Sequence, residues 1–305
     1  MIRIIMFDLG NTLIRESDRT PFPHVLSALG VLRNFVDDTG TAVPLCLVSN
    51  FPQQLPVPDR DLPQVFAEFL EILNAASLTE FFQPVDQRVT LSAHAGVAKP
   101  KPACFAKALE RAGLNANLES CLFITEDQEH VARARDLGMR ALRFGGHQIP
   151  SDPGSDFSDW AEGPLVIARS AFPGNAANLK LAVAGFLQAT RGLSVLSVDA
   201  RDGEFEVQAN THARLPAHAP ESLRGVMVDV PVTVRMQITD EGHVAHVDGE
   251  VPKPEVVAEA ALGVEALHSN GQIAGAGESP LGATHRIEVT PSGERVLRRK
   301  RYSAF

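Results

Sequence analysis

The chain has 305 residues, 44% of them hydrophobic and 21% charged, with a formal net charge of −9. That length exceeds what one core usually supports, so two domains are expected, and the hydrophobic share is that of a globular rather than a disordered protein. The acidic balance argues against broad binding to nucleic acid or anionic membranes, and the three cysteines, Cys46, Cys104 and Cys121, lie in apolar stretches that suit reduced core thiols better than disulfides or a zinc site.

The N-terminal run "IIMFDLGNTLI", residues 4–14, is apolar up to Asp8, and Gly10, Asn11 and Thr12 follow at once. It is too short for a signal peptide and no stretch has the length of a membrane span, so the chain reads as cytoplasmic. "RIIMFDL", "PLCLVSN", "RVTLSA", "CLFITE" and "RALRFG" each have the length and apolar density of a buried parallel strand. Helix-period segments alternate with them. "FPHVLSALGVLRNFV" comes first, and "LPQVFAEFLEILNAA" follows with Val65, Phe66, Phe69, Leu70, Ile72 and Leu73 on one face. "KPACFAKALERAG" has proline in its first turn and Gly113 at its end, and "EHVARARDLG" closes on Gly138. The alternation implies an α/β fold built on a doubly wound parallel sheet. Ligands of such sheets bind beyond the carboxyl ends of the strands, where Asp8, Ser49 with Asn50, and Glu126 with Asp127 all fall.

Residues 145–164, rich in Gly, Pro, Ser and Asp, read as a loop or linker, which places the domain boundary at 163/164. Beyond it the style changes. Two strand pairs are expected to turn at Asp202-Gly203 and Glu241-Gly242, and a third at Ser292-Gly293. Two helices interleave: "AANLKLAVAGFLQATRG", packing Leu179, Val183, Phe186 and Leu187, and "PEVVAEAALGVEALHSNG". Residues 164–305 are therefore expected to form an α+β domain without a motif of recognised chemistry. His243 and His246, three apart on a strand, face opposite sides and read as surface residues rather than metal ligands. "RVLRRKR", 295–301, is the one dense basic stretch. Alternation puts Arg298 and Lys300 on one face and Arg295, Arg299 and Arg301 on the other, as in an edge strand guarded by charge. It is also the single candidate surface for nucleic acid or another anion.

"DLGNTL", "LVSN", "GVAKPKPACF" and "ITEDQEHVARARDLGM" resemble, in order and spacing, the four motifs of the haloacid dehalogenase superfamily, most of whose members are phosphatases. The resemblance covers residues up to about 145 and implies a Rossmann-like hydrolase core, Mg2+ as cofactor and a phosphorylated substrate. By it Asp8 would be the nucleophile that forms an aspartyl-phosphate, Ser49 would hydrogen-bond the phosphoryl oxygens and Lys99 would neutralise nucleophile and phosphate. Asn11, Thr12 and Asn50 would meet the phosphate. Asp8, the Gly10 carbonyl and Glu126 would hold the metal, with Asp127 a rival ligand. The set is also chemically coherent: a carboxylate attacks phosphorus only when a dication and an ammonium screen the charge, and Mg2+ prefers oxygen ligands. Lys101 is a second lysine nearby, but the match of "KPKP" favours Lys99.

Two departures stand out. Family phosphatases read DxDxT, with the second aspartate as general acid and base, and here Gly10 takes that position. Its loss removes a contribution of roughly 100 to 10,000-fold in rate and should favour acyl or aryl phosphates, whose leaving groups are weak bases. In the fourth motif Thr125 and Glu126 stand where GD is common, and His130 where a second aspartate often sits. The family's dehalogenases also lack the second aspartate, yet they carry a helical cap that the interval from Leu13 to Pro44 has no room for. The core thus reads as capless, with residues 165–305 available as a roof or partner surface. Three functions follow: a phosphohydrolase working through Asp8, a catalytically silent binding or scaffold core whose function lies in the C-terminal half, and, as a second alternative, another hydrolase of that superfamily such as a dehalogenase.

Overall fold

The computed structural model describes residues 1–52, 54–146, 154–201, 203–216, 219–276 and 282–300, and the counts below are of these. Parts of three expectations fall outside them: residues 147–153 of the expected linker, Asp202 of the first hairpin turn and Arg301 of the basic stretch. The chain divides into two compact units, Met1–Thr190 with Ile238–Val244, and Arg191–Gln237 with Ala245–Phe305.

The first unit is built on the five expected strands, β1 (Ile4–Phe7), β2 (Leu45–Ser49), β3 (Val89–Leu91), β4 (Cys121–Thr125) and β5 (Arg140–Arg143). All pair in parallel, in the order β3-β2-β1-β4-β5. β1, β2, β3 and β4 are buried along their whole length, which is why they read as continuous apolar runs rather than alternating ones. The helices are α1 (Val25–Leu32), α2 (Leu62–Ala75), α3 (Val85–Arg88), α4 (Ser92–Ala95), α5 (Pro102–Arg111), α6 (Gln128–Asp136), α7 (Gly163–Ala171) and α8 (Ala176–Arg191). On one face of the sheet Ile4, Met6, Cys46, Val48 and Phe123 pack on Phe105 and Leu109 of α5 and on Val131 and Ala134 of α6. On the other, Phe7 meets Phe82 and Trp160. This is a Rossmann-like doubly wound core. Its strand order reverses between β1 and β4, so the crevice beyond their carboxyl ends is where a ligand is expected.

The expected boundary at 163/164 falls inside the first unit. Within the segment read as a linker, Phe157 and Trp160 are buried and stack with Phe144, and the Trp160 indole donates from Nε1 to the carbonyl of Thr12 at 2.9 Å. α7 then buries Leu165, Val166, Ile167, Ala168 and Ala171 and packs on α1. Asn178 of α8 is fully buried, accepting from Val36 N at 2.9 Å and donating to Val36 O at 2.8 Å. A few large aromatics among many small polar residues carry this packing, which composition averages away.

The second unit holds β6 (Ser194–Arg201), β7 (Glu204–Arg214), β8 (Met227–Ile238), β9 (Val244–Asp248), β10 (Ile273–Ala274), β11 (His285–Val289) and β12 (Arg295–Arg299), with α9 (Pro254–Ser269). The sheet runs β10-β11-β12-β8-β7-β6, and β9 pairs with β8. β8 alternates strictly, with Val228, Val230, Val232, Val234 and Met236 buried, so one face looks inward. Val228 and Val230 pack with Ala261 and Val264 of α9, Ile287 and Leu297. All three expected strand pairs and both expected helices form. β12, however, is no edge strand. It lies between β11 and β8, Arg298 pairs with Asp229 at 3.4 Å, and Arg295 donates to the carbonyl oxygens of Ser222 and Arg224.

All three cysteines are free and buried, and burial pushes Cys46 and Cys104 to about 11 and Cys121 to about 12, so none is a thiolate nucleophile near neutral pH. Among the described residues no helix is long and apolar enough to cross a membrane. His246 is exposed beside Asp248 at 3.5 Å, and His243, half-buried, lies 3.1 Å from Glu162 Oε2 within the first unit.

Candidate active site

Asp8 is the first residue past β1, and its amide donates to Ile124 O at 2.9 Å, so the sheet's own bonding fixes where the carboxylate starts. Oδ1 accepts from the Leu9 amide at 2.7 Å. Oδ2 lies 2.5 Å from Lys99 Nζ, an ion pair whose side chains are only 12% and 1% exposed. The Lys99 ammonium also stands 5.6 Å from the centre of the Phe123 ring. Lys101 is exposed at the N-terminus of α5 and is not the partner. A lysine buried this deeply needs a partner, and the Asp8 carboxylate is the one beside it.

Thr125, the last residue of β4, is fully buried and its hydroxyl bridges the two acids, lying 3.2 Å from both Asp8 Oδ2 and Glu126 Oε2. Burial, and then the Asp8 carboxylate beside it, push the Glu126 carboxyl above its ordinary range. Thr12 completes the arrangement: Oγ1 donates to Glu126 Oε2 at 2.5 Å and accepts from the Glu126 amide at 3.0 Å.

A cavity of about 670 Å³ gathers Asp8, Gly10, Ser49, Asn50, Lys99, Glu126, Asp127 and His130, together with Glu16 and Arg19 from the loop after β1 and Phe69 and Ile72 from α2. Most of the expected residues thus share one wall, but four have other local roles. Thr12 is fully buried and fixes Glu126. Asn11, exposed and at φ 49°, accepts from the Glu16 amide through Oδ1 at 3.2 Å. The Asn50 amide clamps the Lys99 backbone, accepting from its N–H at 2.7 Å and donating to its carbonyl at 3.3 Å. Asp127 is the N-cap of α6, with Oδ1 accepting from the Glu129 and His130 amides at 2.8 and 3.1 Å. An aspartate followed by a helix pattern is an N-cap signal that the sequence already contains. His130 Nδ1 lies 3.7 Å from Asp127, and burial, then the Lys99 ammonium, hold its imidazole below the usual range.

Among the described residues no group of three or more His, Cys, Asp or Glu side chains is placed to hold a metal ion. The acidic donors side by side are Asp8 and Glu126. Two carboxyls brought together at the ends of neighbouring strands, one of them made reluctant to ionise by burial and then by the other, fit a hard dication supplemented by water and backbone oxygen.

No family model and no curated protein matches the sequence. Among solved structures the chain is similar to a conserved haloacid dehalogenase-like protein of unknown function from Agrobacterium tumefaciens, at 17% identity over 56% of this chain and 100% of that one, with a TM-score of 0.38. It is similar to the L-2-haloacid dehalogenase of Xanthobacter autotrophicus with covalently bound chloropropionic acid, at 15% identity over 47% of this chain and 78% of that one, TM-score 0.33. A HAD family enzyme of Bacteroides thetaiotaomicron, in complex with magnesium and inorganic phosphate, matches at 17% identity over 47% of this chain and 94% of that one, TM-score 0.27. Each of these likenesses takes in about half of this chain.

Proposed function

We propose that the first unit is a Mg2+-dependent phosphohydrolase that works through an aspartyl-phosphate on Asp8. The observation that carries this reading is the buried 2.5 Å pair of Asp8 with Lys99, joined through the Thr125 hydroxyl to a second carboxyl, Glu126. An oxygen of Asp8 attacks the phosphorus of a phosphorylated substrate and the bond to the leaving-group oxygen breaks. Lys99 offsets the negative charge that Asp8 and the incoming phosphoryl group bring together, and Ser49, at the end of β2 on the cavity wall, donates its hydroxyl to a phosphoryl oxygen. Asn50 keeps Lys99 in place by holding both backbone groups of that residue. Asp8 and Glu126 would hold Mg2+, which when bound supplies electrostatic screening of the phosphoryl oxygens. The paired acids favour phosphoryl transfer over dehalogenation, because displacing a halide only passes the charge of the carboxylate to the leaving group, whereas an incoming phosphoryl group brings further negative oxygens that call for a dication.

The second reading, a silent core, is favoured by Gly10, which has no acid to offer. One experiment separates the two. The protein is incubated with Mg2+ and radiolabelled acetyl phosphate, quenched in acid and digested. Label on the peptide containing Asp8, absent from Asp8→Asn, is the expected result. Absence of label together with absence of Mg2+-dependent hydrolysis of acetyl and aryl phosphates would give the case to the silent core.

A further inference from the structure

Gly10 stands where an aspartate would supply the proton, and its backbone does not require glycine, since it is not among the residues of positive φ. What stands beside it is another side chain. A Cβ built on Gly10 would lie 2.7 Å from Glu16 Oε1 and 3.2 Å from Glu16 Cγ. The volume that a side chain at position 10 would enter is already taken by a carboxylate, brought from six residues further along the chain.

The loop is folded so as to bring it there. The Leu13 and Ile14 amides both donate to Leu9 O, at 2.9 and 3.1 Å, Ile14 bridges back to Gly10, and the Glu16 amide donates to Asn11 Oδ1 at 3.2 Å. These bonds turn the chain after β1 back over Gly10, with Asn11 in the left-handed conformation that Asn tolerates better than most residues. Glu16 lines the same cavity as Asp8, Lys99 and Glu126. Among the described residues no three acids are gathered as a metal site, so Glu16 does not stand with Asp8 and Glu126 as one ligand cluster.

We infer that Glu16 is the general acid and base of the proposed reaction, replacing the acid that position 10 lacks. The inference rests on the aspartyl-phosphate reading. As the Asp8 oxygen bonds to phosphorus and the ester P–O bond breaks, the Glu16 carboxyl gives its proton to the departing oxygen, which leaves as an alcohol. Glu16, now a carboxylate, takes a proton from water as the water oxygen attacks the same phosphorus and the Asp8–phosphorus bond breaks. Phosphate leaves, and Glu16 is again protonated. With this acid present, esters of strongly basic alcohols are substrates too, contrary to the preference expected from Gly10 alone.

The test compares Mg2+-dependent hydrolysis of an alkyl and an aryl phosphate by the full-length protein, Glu16→Gln, Glu16→Ala and the double variant Gly10→Asp with Glu16→Ala. Labelling of Asp8 is followed in each. Removing the acid should cut alkyl phosphate turnover by about 100-fold or more, aryl turnover by less, and let phospho-Asp8 accumulate. The alkyl-to-aryl ratio within one preparation does not depend on the fraction that is folded, so a merely structural effect cannot mimic the change. The double variant should recover alkyl turnover, because the carboxylate introduced at position 10 then enters the space that the shortened side chain at position 16 leaves free. If Asp8 is labelled but Glu16→Gln keeps the wild-type ratio, the inference about Glu16 falls while the phosphohydrolase reading stands. If wild type neither labels nor hydrolyses, both fall together.

Discussion

Thr12 and Glu126 are bonded in both directions across the strand edge: the hydroxyl donates to the carboxylate at 2.5 Å and accepts from the same residue's amide at 3.0 Å. Thr12→Val leaves that part-buried amide without its partner and Glu126 Oε2 with the Thr125 hydroxyl alone, at a cost of about 1–3 kcal/mol for an unpaired group. The variant should melt measurably lower and lose part of any Mg2+-dependent stabilisation, while Thr12→Ser should keep both. Thermal melts with and without Mg2+ check this, and a Thr12→Val curve that overlays wild type would show the pair to be idle.

Asp8 and Glu126 respond in opposite ways to neutralisation when no metal is present. Asp8→Asn strands a lysine whose side chain is 1% exposed, and breaking such a buried pair costs about 3–5 kcal/mol. Glu126→Gln removes a charge that burial, and then the Asp8 carboxylate, disfavour, so it should be neutral or stabilising. Added Mg2+ should raise the melting temperature of wild type by mass action and do so in neither variant. Denaturant melts in chelator, then in Mg2+, give the comparison, and an unaltered Mg2+ shift in both variants would put the metal elsewhere.

A chain cut at residue 164 should not fold. It would lack α7, whose Leu165, Val166 and Ile167 alone contribute roughly 5–9 kcal/mol of burial, against a typical total stability of about 5–15 kcal/mol. Expression of residues 1–164 should give insoluble or loosely packed protein, and the emission of Trp160, the sole tryptophan, should shift to the red. A soluble fragment with the emission of a buried indole would show α7 to be dispensable.

His94 sets a pH dependence. Its Nδ1 accepts from the Leu91 amide at 3.0 Å, its ring meets Phe66 edge to face, and burial with nearby Arg111 and Lys107 lowers it from 6.5 to about 4. Between those values the unfolded chain binds a proton that the folded chain does not. The stability that neutral His94 lends is therefore complete above 6.5 and is lost as the pH falls toward 4. His94→Gln should flatten the dependence of melting temperature on pH across that window. An unchanged slope would assign it to other groups.

Much of this was legible in the residues. Five apolar runs, each ended by a turn or a polar residue, are enough to specify buried parallel strands. Proline at the start of α5 and glycine after its end mark its limits for local backbone reasons that need no partner. The same locality places Asp8, Ser49 and Glu126 at strand ends, so a crevice lined by them follows from the alternation of strands and helices alone. The wrap of residues 154–190 on the first unit was not legible, because Phe157 and Trp160 stand in a stretch whose average composition is that of a linker. Nor was the interior place of β12, since its charged residues find partners in Asp229, Ser222 and Arg224, far off in sequence. Sequence could say that position 10 lacks an acid. Only the tertiary structure could bring Glu16 into that space, because which side chain fills it depends on how the loop folds back, and that is decided by Asn11, Leu9 and Ile14 together.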